Sequence, residues 1–412
     1  MQKDLIKWLY PGMRIKRWFI TALLGVLIVW GGGIAFASGF ALVRVAGLVI
    51  IFCGIVLIVM GTGKMIVSLL TLFLPKGERE LVNILYQRRY LERGPKIVTV
   101  GGGHGLSNLL MGLKEYTSNL SAIVTVADSG GSSGRLREEF NIVAPGDIRM
   151  CLCALADAPA LMGDLFQFRF SQESQLQGHN FGNLFLTAMV QLTGDFEKAV
   201  EESGKVLAIR GQVIPSTVSN VQLVAEYNDG TIIEGEAKIP KTHKKIKRVY
   251  LKPQNPQATQ AALDAIRDAD VIVLGPGSIY TSIIPNLIIK EIHQEIAQSK
   301  AFKIYVCNVM TQQGETGDFC ASDHVKTIVQ HSNPGVMNAC IINNASVPLD
   351  AQGRYQTEDS FPVEPDVEKI RQMGYLAVAT DLLHVTDYVR HDATKLTKAI
   401  IRLIERYKVI KR

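Results

Sequence analysis

Hydrophobic and polar positions divide the chain near residue 75. Residues 18–43 (WFITALLGVLIVWGGGIAFASGFALV) and 45–63 (VAGLVIIFCGIVLIVMGTG) carry no charge, and only Arg44 separates them. A bilayer-spanning helix needs about 20 apolar residues at a rise of about 1.5 Å each. Each run therefore predicts one span, and the short join predicts a hairpin. A charge at mid-bilayer costs about 3 kcal/mol, which puts Arg44 and Lys64 at the ends of spans. Residues 65–74 (MIVSLLTLFL) continue the second helix or lie at the interface. Residues 76–95 (KGERELVNILYQRRYLERGP) set Leu81, Ile84, Leu85 and Leu91 among charges. They read as an amphipathic connecting helix ending at Gly94-Pro95, or as a solvated linker.

Beyond Lys96 the pattern changes to strands alternating with helices. KIVTV (96–100) is a short β-branched run before glycines, the mark of a buried parallel strand. SNLLMGLKEY (107–116) reads as a helix capped by Ser107. SAIVTVAD (121–128), VIVL (271–274) and FKIYVCNV (302–309) read as further strands. The alternation predicts an α/β fold with a doubly wound, Rossmann-like parallel sheet over residues 96–412, preceded by a two-helix transmembrane hairpin over 1–75. Residues 205–252 interrupt the alternation. Asn228-Asp229-Gly230 between alternating runs is a hairpin signal, so this stretch predicts an antiparallel β insertion.

Composition and charge refine the first division. A mean hydropathy of +0.16 is accounted for by the two apolar runs. Lys3, Lys7, Arg14, Lys16 and Arg17 precede the first run; Lys64, Lys76, Arg79, Arg88, Arg89 and Arg93 follow the second. By the positive-inside rule both flanks face the cytoplasm. Trp8, Trp18 and Trp30 suit interfacial or lipid-facing positions, and an immediately following second run argues against a cleaved signal peptide. The alternative is a helical hairpin buried in a soluble core. The six cysteines include no C-x-x-C pair and the histidines no metal-binding spacing, which predicts free thiols in a reducing compartment. The run KTHKKIKR (241–248) lacks interleaved aromatics and a recognition helix, so it reads as a charged loop rather than a nucleic-acid site.

Candidate chemistry lies in the glycine-rich loops. In TVGGGHGLSNLL (99–110) a strand ends in glycines with a helix behind them. Backbone N–H groups and the helix dipole at such a place favour a phosphate. No Lys-Ser/Thr follows, so a P-loop ATPase is disfavoured. The next strand ends at Asp128, where a dinucleotide fold keeps its ribose-binding acid. SGGSSGRLR follows, a second cradle of Ser129, Gly130, Gly131 and Ser132. Two such loops at adjacent strand ends predict a ligand crevice between them. APGDIRMCL (144–152) places Asp147 at a helix N-cap, GHNFGNL (178–184) places Asn180 and Asn183 in a turn, and GPGSIYTS (275–282) supplies a third strand-turn-helix, with Ser278 and Thr281 as donors.

These segments, with NVMTQQGETGDF (308–319), occur in an order that resembles the YvcK or CofD-like family, the gluconeogenesis-factor group, over about residues 96–400. The resemblance implies a nucleotide-sugar site in a Rossmann-like domain. CofD itself transfers a phospholactyl group from an activated nucleotide. YvcK-type members are regulators of cell shape and wall metabolism on gluconeogenic carbon, associated with UDP-N-acetylglucosamine. Carried over by position, the ligand-binding residues are Gly102, Gly103, His104, Asp128, Ser129, Gly130, Gly131, Asn183, Gly275, Pro276, Gly277 and Ser278; Ser132, Thr281 and Asn308 in the same segments complete the candidate set. Asp128 and Asp147 are the candidates for catalysis and for a magnesium ion, which asks for one or two carboxylates beside phosphates and waters. His104 is a binding residue or a general base.

The expectation is a membrane-tethered, cytoplasm-facing UDP-sugar regulator, with no required cofactor, wall-synthesis proteins and the bilayer as partners, a homodimer as an option and no nucleic acid. The second reading is a magnesium-dependent CofD-like transferase. An NAD-linked oxidoreductase has no hydride-site pair to support it, and a pure membrane scaffold leaves three glycine loops unexplained.

Overall fold

The computed structural model describes residues 15–38, 40–73, 90–157, 160–171, 173–348, 352, 359–385 and 388–411. The chain forms two compact units, Met1–Arg89 and Tyr90–Arg412. The basic flank residues before Ile15, Trp8, and most of the connecting segment 76–95 lie outside the described residues.

In the first unit, α1 (Ile15–Ala37) and α2 (Ala41–Phe73) pack as an antiparallel pair. Both are long and apolar enough to cross a membrane, over Arg17–Ala37 and Ala41–Ser68. Only 11% of either apolar window is buried, unlike the core hairpin of a soluble protein. Trp30 is 70% exposed on the outer face. Residues 65–73 continue α2, as the unbroken apolar run requires. Glycines bring the helices together at every second turn. A Cβ on Gly25 would sit 2.8 Å from the Gly54 carbonyl oxygen, one on Gly32 3.0 Å from that of Gly47, and one on Gly61 2.9 Å from that of Trp18. In lipid, helices associate through such close backbone packing. At the turn, Arg44 Nε donates to the Ser38 carbonyl (3.1 Å), placing a cation on the C-terminal end of α1.

In the second unit, β1 (Ile97–Gly101) leads into α3 (Gly103–Leu113), and β2 (Leu120–Val124) into α4 (Gly131–Phe140). Four more helices follow: α5 (Gly146–Leu155), α6 (Ala160–Gln167), α7 (Phe181–Thr193) and α8 (Phe196–Val206). After β3 (Gln212–Pro215) comes a three-stranded antiparallel sheet of β4 (Gln222–Tyr227), β5 (Ile232–Glu234) and β6 (Ile246–Lys252), in the order β5-β4-β6. Asn228-Asp229-Gly230 turns β4 into β5, with Gly230 at φ 83°. The chain then runs through α9 (Gln260–Asp268), β7 (Val271–Leu274), α10 (Lys290–Gln298), β8 (Phe302–Val306), α11 (Ala321–His331) and β9 (Ala339–Asn343). It ends with α12 (Val367–Gln372), β10 (Leu376–Thr380), the hairpin β11 (Leu383–Val385) and β12 (Val389–His391), and α13 (Ala393–Lys411).

The main sheet has seven parallel strands in the order β10-β9-β8-β7-β1-β2-β3. The fold is thus α/β and Rossmann-like. Strands β1, β7, β8 and β9 are buried along their whole length, because helices cover both faces. β3, within the stretch 205–252, forms the edge of this sheet rather than joining the antiparallel one. From β1 the chain builds one way through β2 and β3, then returns to β7 on the other side and builds toward β10. The strand order therefore reverses between β1 and β7, where open α/β sheets hold their ligands.

Candidate functional site

A cleft of about 950 Å³ opens at this reversal. Its floor is Gly102–Gly105 after β1 and Pro276–Ser278 after β7; Asn308–Gln313 after β8, Arg149 of α5, Arg169 and Arg390 of β12 form its walls. Two sequence expectations are corrected here. The crevice lies between β1 and β7, not between β1 and β2, because the return crossover to β7 sets the switch point. The first helix starts at Gly103, not at Ser107; its N-cap is Gly102, and Ser107 Oγ instead donates to the His104 carbonyl (3.0 Å) inside the first turn.

The glycines have separate physical reasons. Gly103 sits at φ 65°, a left-handed conformation. Gly105 faces the next loop so closely that a Cβ would lie 2.6 Å from the Pro276 carbonyl oxygen. At Gly102 a Cβ would collide with the Asp147 carboxylate. The N-terminal N–H groups of α3 thus open into the cleft, the arrangement that receives an anion. Ser278 Oγ accepts from the Thr281 N–H (3.2 Å) and donates to the buried Glu315 carboxylate. Thr281 is buried behind this turn, and Gly275 makes the bend at φ 77°.

Among the predicted residues, Gly102, Gly103, His104, Pro276, Gly277, Ser278 and Asn308 line the cleft. Gly275, Thr281, Asp128, Ser129, Gly130, Gly131, Ser132 and Asn183 do not. The loop after β2 is folded on itself and covered by the antiparallel insertion. Asp128 Oδ1 accepts from the Gly130 N–H (2.8 Å), and Ser129 Oγ accepts from the Ala237 N–H (3.2 Å) of the 3-10 turn Glu236–Thr242. Ser132 Oγ is shared between the His179 ring (3.3 Å) and the Asn180 N–H (3.2 Å). Asn183 acts one step back from the cleft: its Oδ1 accepts from Arg149 Nε (2.9 Å).

Asp147 lies in the first turn of α5 rather than at its N-cap, which is Pro145. Its carboxylate packs beneath Gly102 and accepts from the Gly103 N–H. Burial, reinforced by Asp128 and Glu236, pushes it up to about 8. Burial and the neighbouring Asp128 and Glu315 carry Glu236 up to about 7, and burial holds Glu315 at about 7. Four carboxyl groups thus stand near one another behind the floor, three of them prone to hold a proton. Among the described residues no group of three or more His, Cys, Asp or Glu side chains is placed to hold a metal ion.

The cleft wall is cationic. Burial, Arg390 and Arg149 hold His104 below its ordinary value. His391 is pushed down to about 4 by burial, against its bond with the Cys307 carbonyl (3.0 Å). Arg149, Arg169 and Arg390 enter no ion pair with a carboxylate among the described residues. Sequence reasoning missed these arginines, together with Glu236, Glu315 and His391. Arg149 and Glu315 lie inside quoted segments, 144–152 and 308–319, whose local pattern gives no sign of where these side chains point, while Arg169, Glu236, Arg390 and His391 come from an arm, the insertion and a distant hairpin. In contrast, Lys244, Lys245, Lys247 and Arg248 of the run 241–248 are paired with Asp229, Asp318 and Glu226. All six cysteines are free.

A glycine-lined floor at the topological switch point, a helix N-terminus and a cationic wall define a Rossmann-like protein with a candidate anion site. The family model of 2-phospho-L-lactate transferase CofD matches residues 97–383. The chain is 45% identical to the gluconeogenesis factor of Bacillus subtilis, over 76% of this chain and 98% of that one. It is also 45% identical to a Nostoc relative of the same group, over 96% of this chain, so that alignment extends through the apolar hairpin. A solved UPF0052-family structure from Bacillus halodurans shares 44% identity and a TM-score of 0.73, covering 75% of this chain and 99% of its own. The chain belongs to the CofD family, in its gluconeogenesis-factor group.

Proposed function

We propose that this protein is a membrane-anchored, cytoplasm-facing receptor for a UDP-sugar, UDP-N-acetylglucosamine in the first place, and that it regulates cell shape and wall metabolism during gluconeogenic growth. The observation that carries this reading is the pairing of two phosphate-type turns, Gly102–Gly105 and Pro276–Ser278, on one cleft of a size suited to a small ligand. The α3 N-terminus and Arg390 supply charge for a diphosphate. The apolar hairpin would place the site beside lipid-linked wall precursors and the proteins that make them. Calorimetric titration of the full chain in detergent with UDP-N-acetylglucosamine, against GTP and NAD, tests the reading. Saturable micromolar binding, roughly −8 kcal/mol, for the UDP-sugar alone supports it, and binding of GTP or NAD instead sinks it.

A second reading, transfer of a phospho-group from a nucleotide-activated substrate, draws on the family model. Asp128 and Asp147 are the residues that would hold a magnesium ion. The charge of Asp128 penalises that of Asp147, and a cation between them would relieve it with few protein ligands. A bound ion would neutralise phosphate charge. Gly102 and the Gly103 N–H orient the Asp147 carboxylate, and the α3 N-terminus would hold the phosphate. Product formation from candidate nucleotide substrates with magnesium, lost in Asp147→Asn, would favour this reading over a receptor without turnover.

A further inference from the structure

We infer that Arg149 and Arg169 form an oxyanion subsite, distinct from the glycine loops, for the phosphate or carboxylate group of a second small ligand. The inference rests on the reading of the cleft as a ligand site. Arg149 projects from α5, and its stem lies against Gly182 so closely that a Cβ there would stand 2.7 Å from Arg149 Cδ. Its Nε is committed to Asn183 Oδ1 at 2.9 Å, which fixes the direction of the guanidinium. Arg169 is anchored by the backbone bridge to Asn180, and its Nη1 donates to the Gly178 carbonyl (2.6 Å). Both line the cleft beside the uncharged Gln167 and Asn180.

Arg149 is half-buried and Arg169 exposed, and neither arginine has an ion-paired carboxylate among the described residues. Partial burial and the neighbouring Arg169 both weaken the hold of the Arg149 guanidinium on its proton, and the carboxylates that offset them, Asp147 and Asp128, stand beyond ion-pair distance. An oxyanion spanning the two forks offsets both effects, because the paired N–H donors match carboxylate or phosphate oxygens. A diphosphate on the floor already has the α3 N-terminus, Gly277, Ser278 and Arg390. The two arginines come instead from α5 and the arm between α6 and α7, and they are left for another anion.

The test is calorimetry on the full chain in detergent, titrated with inorganic phosphate or malonate while UDP-N-acetylglucosamine saturates the floor. Binding of either anion is expected to persist, to fall at least tenfold in Arg169→Gln, and to fall likewise in Asn183→Ala, which frees Arg149 without removing its charge. The loss in Arg169→Gln should be several times larger for phosphate or malonate than for the UDP-sugar. Anion binding that vanishes when the UDP-sugar is present, or that ignores Arg169, overturns the inference. So does an equal loss of UDP-sugar affinity in that variant. A chain that binds phosphate through Arg169 but no UDP-sugar leaves the subsite standing and overturns the proposed function.

Discussion

A single methyl group on Gly105 would lie 2.6 Å from the Pro276 carbonyl oxygen, and neither backbone can withdraw without opening the floor of the cleft. We expect Gly105→Ala to destabilise the second unit by about 1–3 kcal/mol and to abolish the proposed UDP-sugar binding; thermal unfolding and titration read both. His104 makes a second prediction for a single side chain. Burial first, and then Arg390 and Arg149, hold it below its ordinary value. A bound phosphate reverses that field and raises its pKa. Ligand binding should therefore take up a proton and tighten as pH falls through the ordinary histidine range, about 6.5. Titrations in buffers of different ionisation enthalpy measure the uptake, and His104→Gln should remove it.

Among the elements, the hairpin is held by glycines at heptad spacing, Gly25 and Gly32 on α1 against Gly47, Gly54 and Gly61 on α2. Gly54→Leu should force the helices apart and lower the hairpin's resistance to detergent denaturation, while Gly63→Leu, whose Cβ position is open, should not. The antiparallel insertion works differently. Its 3-10 turn covers the loop after β2, where Ala237 meets Ser129, and brings Glu236 toward Asp128. Local patterning predicted the β character of the insertion from Asn228-Asp229-Gly230. It carried no sign that the turn would close over Asp128, because that contact joins residues 108 positions apart.

For the molecule as a whole, the carboxyl groups behind the floor set a pH dependence. Glu236 and Glu315 are raised from an ordinary value of 4.5 to about 7. The unfolded chain loses these protons first, so folded-state stability falls as pH rises from 4.5 toward 7 and then levels off. At about 1.4 kcal/mol for each tenfold change in proton affinity, each group costs on the order of 1–3 kcal/mol at neutral pH. The melting temperature should drop between about pH 5 and 8, and Glu236→Gln should flatten that slope. Deleting residues 1–75 should leave UDP-sugar affinity intact, since the Bacillus halodurans structure comprises only the counterpart of the second unit, and should release the protein from membranes.

Whatever depends on neighbours along the chain was legible before any fold was known. An uncharged run long enough to cross a bilayer has one low-energy solution, and β-branched runs before glycines have another. Both long apolar helices, the parallel strands and the two glycine turns at the cleft follow from these local rules. Where the first helix began did not: Gly102 is its N-cap, and the carboxylate that leaves no room for a side chain there, Asp147, comes from a distant segment. Which loops met was settled only by the folded chain. The return from β3 to β7 moved the crevice to the other side of β1, drew Asp128 under the insertion, and set Arg149, Arg169 and Arg390 on one wall. These are contacts between distant segments. They follow from the order of strands in the sheet, which local periodicity does not encode.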